Sequence, residues 1–123
     1  VHPDLNMHLL GLEEQKEIFE YVQNMTGEVP PIINSKEVLM NPRRVLSKLC
    51  ERVGVPFSEE MLSWPRGARD TDGNWGKYWY KNVMNSTGFN DYKPKTEEVS
   101  ERYAELYLEC YSLYEKLHKL RIR

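Results

Sequence analysis

Residues 41–54 read NPRRVLSKLCERVG and carry the signals of a complete helix. Asn41 is a favoured residue for the cap that precedes a helix, and Pro42 suits the first helical position because no hydrogen bond is lost there. Gly54 can adopt the left-handed conformation that ends many helices. An apolar face with helical spacing is formed by Val45, Leu46, Leu49, Cys50 and Val53. The stretch therefore predicts a helix with one buried side.

The residues upstream predict a second helix and one short strand. Helically spaced apolar residues with early glutamates indicate a helix over residues 12–25, which ends near Gly27. The β-branched run at residues 32–34 follows Pro31 and is long enough for a strand, which needs a sheet supplied from elsewhere. Ser35 then opens a short turn through Met40.

Three helices are predicted downstream: a short one at residues 58–62, one from Asn74 to Met84, and a long one over about residues 96–120, capped by Thr96. The long helix is indicated by a stripe stepping by four and three residues: Val99, Tyr103, Leu106, Cys110, Leu113, Leu117 and Leu120. Neighbouring tyrosines widen this face, which favours packing on the helix's own domain over a coiled coil. Together the segments predict a mainly α chain with four or five helices and at most one short strand.

Composition restricts the class of protein. A length of 123 residues allows one domain or part of one, and we expect residues 1–123 to form a single partial domain. A net charge of −2 disfavours a general nucleic-acid binder, and the absence of a long apolar run disfavours a membrane span. We therefore expect a soluble chain.

The two cysteines and the first residues bear on the compartment. Cys50 and Cys110 both fall on apolar stripes, which favours buried free thiols over a disulfide or a metal site. A reducing intracellular compartment fits best. The chain opens at Val1 without the features of a signal peptide, so we expect a start that is processed, trimmed or unobserved.

The stretch most informative about function is residues 61–89, MLSWPRGARDTDGNWGKYWYKNVMNSTGF. It contains all three tryptophans of the chain, Trp64, Trp75 and Trp79, interleaved with basic residues and glycines. Such a combination suits an anionic, partly aromatic ligand such as a nucleotide. An alternative is that Trp64 is a packing anchor and that Lys77 and Lys81 form a solvated helix face.

Catalytic and metal motifs are absent from the sequence. There is no glycine-rich phosphate loop and no nucleophile elbow. His2, His8 and His118 lie near the chain ends without ligand spacing, which disfavours a metal site. Asp70 and Asp72 could be a paired acid and base, but in a glycine-rich loop they are favoured as turn formers or arginine partners. We expect no catalytic residue and no metal.

The order of segments resembles the C-terminal half of a sulfotransferase-family domain, in the branch labelled sulfotransferase or branched-chain-aminotransferase-like. The resemblance covers nearly the whole chain and is carried by LLGLEEQKEIFEYV, PPIINSKEVLMNPRRVLSKLCERVGVPF, MLSWPRG, DGNWGKYWYKNV, STGF and RYAELYLECYSLYEKL. It implies a P-loop-like α/β fold, in which residues 32–34 would be one strand of a parallel sheet. The tryptophan-rich block is specific to that branch.

The resemblance also implies a sulfuryl donor, 3′-phosphoadenosine 5′-phosphosulfate, and a late loop that closes over its 3′-phosphate. The residues that would form the donor site are Arg66, Gly67, Arg69, Gly73, Trp75 and Lys77. Gly76 is inserted between the last two of them. Asn34 stands where the branch commonly has an acidic residue, and Met84 and Asn85 stand where a His-Arg pair often precedes STGF.

Three interpretations follow from different classes. In the first, the chain is the C-terminal part of a sulfotransferase, inactive alone because the donor-binding N-terminal half lies outside it. In the second, it is a non-catalytic accessory subunit that buries apolar faces against protein partners in a larger complex. The third, an independent nucleotide-binding module, is least favoured because no complete phosphate loop is present.

Overall fold

A computed structural model describes residues 4–123 and is mainly helical, which confirms the predicted fold class. Within these residues the order of α-helices is α1 Met7–Leu10, α2 Leu12–Thr26, α3 Ser35–Met40, α4 Pro42–Val53, α5 Gly76–Trp79, α6 Lys81–Met84 and α7 Ala104–Lys119. Single turns of 3₁₀-helix occur at Glu59–Met61, Asp70–Asp72 and Glu101–Tyr103. Seven α-helices replace the predicted four or five in the described residues. Helices α1 and α3 were not predicted, the helix predicted at 74–84 is two separate turns, and the short helix predicted at 58–62 is only the 3₁₀ turn Glu59–Met61.

Helix α4 forms as predicted from its terminal residues. The Asn41 side chain accepts a hydrogen bond from the Arg44 N–H at 3.1 Å, and Gly54 ends the helix with a φ of 72°. Val45 is 1% exposed and Cys50 is 6% exposed, so the predicted apolar face is buried around these two residues. Val53, predicted on the same face, is 51% exposed because it lies in the last turn of the helix. Helix α3 packs against α4 and buries Val38.

The described chain divides into two compact units. One is formed by the two ends of the chain, up to Asn34 and from Lys93 onward, and the other by Ser35–Tyr92. The terminal unit contains α1, α2 and α7, and α2 packs against both α1 and α7. The single partial domain expected from the sequence stays a prediction.

The segment at residues 32–34 does not form the predicted strand, and no strand is present anywhere in residues 4–123. Its backbone is instead tied to the end of α7, since the Ile122 N–H donates to the Ile32 carbonyl at 2.8 Å. Asn34 Nδ2 donates to the Tyr114 hydroxyl at 2.8 Å. The segment has no second strand to pair with, so these two contacts supply hydrogen bonds for the Ile32 carbonyl and the Asn34 side-chain amide.

The structure corrects three predicted segments: the start of the long helix, the turn at Ser35–Met40 and the helix at residues 74–84. The long C-terminal helix begins at Ala104 rather than near Thr96, because residues 93–100 are all exposed and a helix depends for most of its stability on a buried apolar face. Ser35–Met40, predicted as a turn, is helical because its residue Val38 is buried where α3 packs against α4. At Tyr80 the backbone adopts φ −97° and ψ 16°, which separates α5 from α6.

Candidate functional site

Residues 64–69, here called the basic loop because they include Arg66 and Arg69, are hydrogen-bonded to the segment that follows α6. Ser63 and Gly88 form an isolated antiparallel bridge, and the Trp64 N–H donates to the Thr87 carbonyl at 3.0 Å. Three residues further along, the Gly67 N–H donates to the Met84 carbonyl at the end of α6, at 2.9 Å. The backbone on both sides of Arg66 is therefore fixed beside α6.

Trp64 anchors this loop with its side chain. Its indole Nε1–H donates to Ser86 Oγ at 2.9 Å, and its ring meets Phe89 edge to face with 5.5 Å between centroids. Such an aromatic pair stabilises by about 0.5–1.5 kcal/mol beyond the area it buries. The interpretation of Trp64 as a packing anchor therefore describes its role in the structure.

An open groove with a volume of about 600 Å³ lies between the anchored loop and the two short helices. Its lining residues are Arg66, Gly67, Ala68, Lys77, Tyr78, Lys81, Met84 and Asn85. Three of them carry a positive charge, and none of them is acidic. Charged groups gathered without a counter-charge favour an anionic ligand.

The Arg66 side chain is held at the groove by a neutral partner. Its Nη2 donates to Asn85 Oδ1 at 3.0 Å. Lys77 is placed by an aromatic ring instead, since its Nζ lies 4.9 Å from the centroid of Tyr78. Neither partner is a carboxylate, so neither contact places a negative charge beside the cation.

Of the six residues predicted for the donor site, Arg66, Gly67 and Lys77 come together in this groove. Trp75 does not line it: the ring is 71% exposed and lies 6.3 Å from that of Tyr78. The assignment of all six to a donor remains a prediction, and the other two, Arg69 and Gly73, belong to the turn before α5.

That turn is organised by Asp72. The carboxylate accepts a hydrogen bond from the backbone N–H of Arg69 at 2.8 Å. Gly73 follows with φ 66° and ψ −176°, a conformation almost confined to glycine. Asp72 therefore acts as a turn former, which was the favoured interpretation. Gly76 is buried against it, and a Cβ there would lie 2.9 Å from the Asp72 Cβ, so the inserted glycine is required by the close approach of the chain.

Lys81 and Asn85 were not assigned to the site from the sequence, although they line the groove with Lys77. The spacing 77, 81, 85 was the available signal, since residues four apart share one side of helical backbone. From the sequence alone, Lys81 belongs to the basic residues interleaved with the tryptophans, and a solvated helix face is the alternative for Lys77 and Lys81.

The remaining candidate metal ligands that the structure describes are His8 and His118. Within residues 4–123 no group of three His, Cys, Asp or Glu side chains is arranged to hold a metal ion. His8 Nδ1 lies 2.6 Å from Glu14 Oε1, and the His118 ring stacks on Tyr114 at 4.9 Å. His2 lies outside the described residues.

Both cysteines are free thiols, as predicted. Cys50 is buried and its Sγ lies 3.8 Å from Met61 Sδ. Cys110 is partly buried, with its Sγ 3.5 Å from Met7 Sδ. In the part of the chain that the structure describes, no helix combines the length and apolar character that a bilayer crossing requires.

Known proteins are similar to this chain over most of its length. A sequence profile described as "Sulfotransferase domain" matches residues 16–118. Branched-chain-amino-acid aminotransferase-like protein 2 of Arabidopsis thaliana is 32% identical over 114 residues, which are 93% of this chain and 20% of that protein. Branched-chain-amino-acid aminotransferase-like protein 1 of the same plant is 37% identical over 102 residues, 81% of this chain and 18% of that protein. The chain thus spans about a fifth of the length of these relatives, and no solved structure gives a significant match.

Proposed function

This chain belongs to the sulfotransferase domain family, and from that premise we propose that its basic groove binds the phosphate groups of a 3′-phosphoadenosine sulfuryl donor. When bound, the donor would supply the sulfuryl group. The role assigned to these residues is to bind and orient its phosphates. No catalytic step is assigned to them.

The observation that carries the proposal is the convergence of Arg66, Lys77 and Lys81 on one groove without an acidic neighbour. Arginine presents planar N–H donors that match a phosphate, and lysine adds compact positive charge. The chain as a whole has a net charge of −2, so this basic character is local. A local cluster of cations favours a small anion over an extended polyanion such as a nucleic acid.

The aromatic side chains beside the groove suit the adenine base. Tyr78 lines the groove, and Trp75 lies next to it with most of its surface exposed. Stacking on exposed aromatic rings contributes about 1–3 kcal/mol per base in nucleic-acid complexes. The cations of the groove therefore suit the phosphates of a phosphorylated adenosine, and the two rings suit its adenine base.

Isothermal titration of the chain with 3′-phosphoadenosine 5′-phosphate tests the proposal. Arg66→Ala should weaken binding by about 1.5–3 kcal/mol, the value of a hydrogen bond to a charged group. Lys95→Gln is the matched control, because it removes one positive charge from an exposed residue that does not line the groove. Equal affinity of the two variants, or no binding by the unmodified chain, would contradict the proposal.

Exposed apolar side chains favour a second candidate function, that of a non-catalytic accessory subunit in a protein complex. On α2 the stripe Ile18, Tyr21 and Met25 is 64%, 66% and 69% exposed. The apolar residues classed as buried in residues 4–123 are few: Val38, Val45 and Cys50. Apolar surface of this kind is typical of protein interfaces.

Gel filtration of a native extract, with antibody detection, tests the accessory role. A complex much larger than 14.6 kDa that is lost when Ile18 and Met25 are replaced by Ser would support it. Replacing the similarly exposed Leu108 by Ser is the control for a nonspecific loss of solubility, since it lies on a different helix. An unchanged elution volume for the α2 variant would refute this interface.

A further inference from the structure

Asn85 links the loop that carries Arg66 to the last turn of α6. Its Nδ2 donates to the Lys81 carbonyl at 2.8 Å, and its Oδ1 accepts from Arg66 Nη2 at 3.0 Å. A carbonyl can only accept and a guanidinium can only donate, so both partners require the same orientation of the amide. The oxygen of Asn85 is thereby directed at Arg66.

The neutrality of this partner has an electrostatic consequence. A carboxylate in the same place would hold the guanidinium equally well, but it would cancel the charge that attracts an anion. An amide uses one N–H of the arginine and leaves its other donors and its full charge available. The other lining residues include no acidic side chain either, so the three cations act together.

We propose that Asn85 is a positioning residue that orients Arg66 for a ligand phosphate while leaving its charge uncompensated. This inference rests on the proposed function. The backbone of the loop is held independently, because the Gly67 N–H donates to the Met84 carbonyl at 2.9 Å. Removing the Asn85 side chain should therefore leave Arg66 in place but no longer oriented.

The test measures binding of 3′-phosphoadenosine 5′-phosphate by calorimetry to the complete chain and to variants at both positions. Asn85→Ala should weaken binding several-fold. Without the Asn85 side chain, Arg66 is mobile in the free chain, and fixing it on binding costs part of the binding free energy. Asn85→Asp should weaken it further, by about tenfold or more, because the new carboxylate pairs with Arg66. A purely structural role predicts the opposite order, since Asp retains the hydrogen bond to Arg66.

A double-mutant cycle separates positioning from stability. In an Arg66→Ala background, Asn85→Ala should have no further effect on affinity, because the group that it orients is absent. The urea midpoint of each variant, followed by circular dichroism, reports whether the chain remains folded. Folded variants with the same loss in both backgrounds would overturn the role of Asn85.

Two results distinguish a failure of the proposed function from a failure of the role of Asn85. If the unmodified chain does not bind the nucleotide, the proposed function falls and the role of Asn85 falls with it. If the unmodified chain binds and Asn85→Asp binds equally well, only the role of Asn85 is overturned.

Discussion

Replacing Trp64 with Phe removes one hydrogen bond from the anchor of the basic loop and little else. The indole N–H donates to Ser86 Oγ at 2.9 Å, and a phenylalanine ring cannot replace this donor. Ser86 is not left without a partner, because its hydroxyl also contacts the Val83 carbonyl at 2.7 Å. The expected cost is therefore that of one neutral hydrogen bond, about 1 kcal/mol.

Trp64→Ala extends the series. It removes the same hydrogen bond together with the edge-to-face contact with Phe89, which contributes about 0.5–1.5 kcal/mol. Because the indole is only half-buried, we expect a total loss of about 2–3 kcal/mol, below the range for a fully buried ring. The free energy of unfolding is obtained from urea titrations followed by circular dichroism, which does not depend on tryptophan fluorescence.

Trp75→Phe and Trp79→Phe are the matched controls. These rings are 71% and 74% exposed, so their replacement should change the free energy of unfolding by less than about 0.5 kcal/mol. A loss at either position equal to that at Trp64, or no loss for Trp64→Phe, would refute the assignment of Trp64 as the anchor.

Gly76→Ala should destabilise the chain by about 1–3 kcal/mol, because the added carbon would lie 2.9 Å from the Asp72 Cβ; a lower urea midpoint would show it. Asn41→Ala should cost about 1 kcal/mol by removing the cap of α4, whereas Asn41→Ser should retain most of the stability in the same assay. The pKa of Glu14 lies below its usual 4.5, first through a backbone hydrogen bond at Glu14 itself and then through His8. Because folding lowers this pKa, its stabilisation is complete above the unfolded value and is lost as the pH falls through the folded value. The melting temperature of Glu14→Gln should therefore fall less between about pH 6 and pH 3 than that of the unmodified chain.

The helices that the sequence predicted well are those with local signals at both ends. Helix α4 has an asparagine cap, a proline in its first turn and a glycine stop, and it forms between them. The start of α7 was predicted too early because Thr96 offers a plausible cap, while the residues that follow it up to Ser100 stay exposed. Local capping chemistry is visible in a sequence, but the tertiary contact that sustains a first turn is not.

The groove was only partly predictable for a related reason. The resemblance supplied Arg66, Gly67 and Lys77, which the structure brings together. Asn85 contributes through a contact across 19 positions of sequence, which depends on how the loop returns to α6. No spacing rule relates two residues so far apart, so this contact could be found only in three dimensions.

The most direct test of donor binding is an amide NMR titration of the chain with 3′-phosphoadenosine 5′-phosphate. The account predicts saturable shifts concentrated at residues 66–68 and 77–85, the segments that line the groove. We also expect these shifts to be much smaller in Arg66→Ala at the same ligand concentration, because the affinity of that variant is lower. Saturable shifts confined to other residues, or none at millimolar ligand, would contradict the claim that this groove is a nucleotide site.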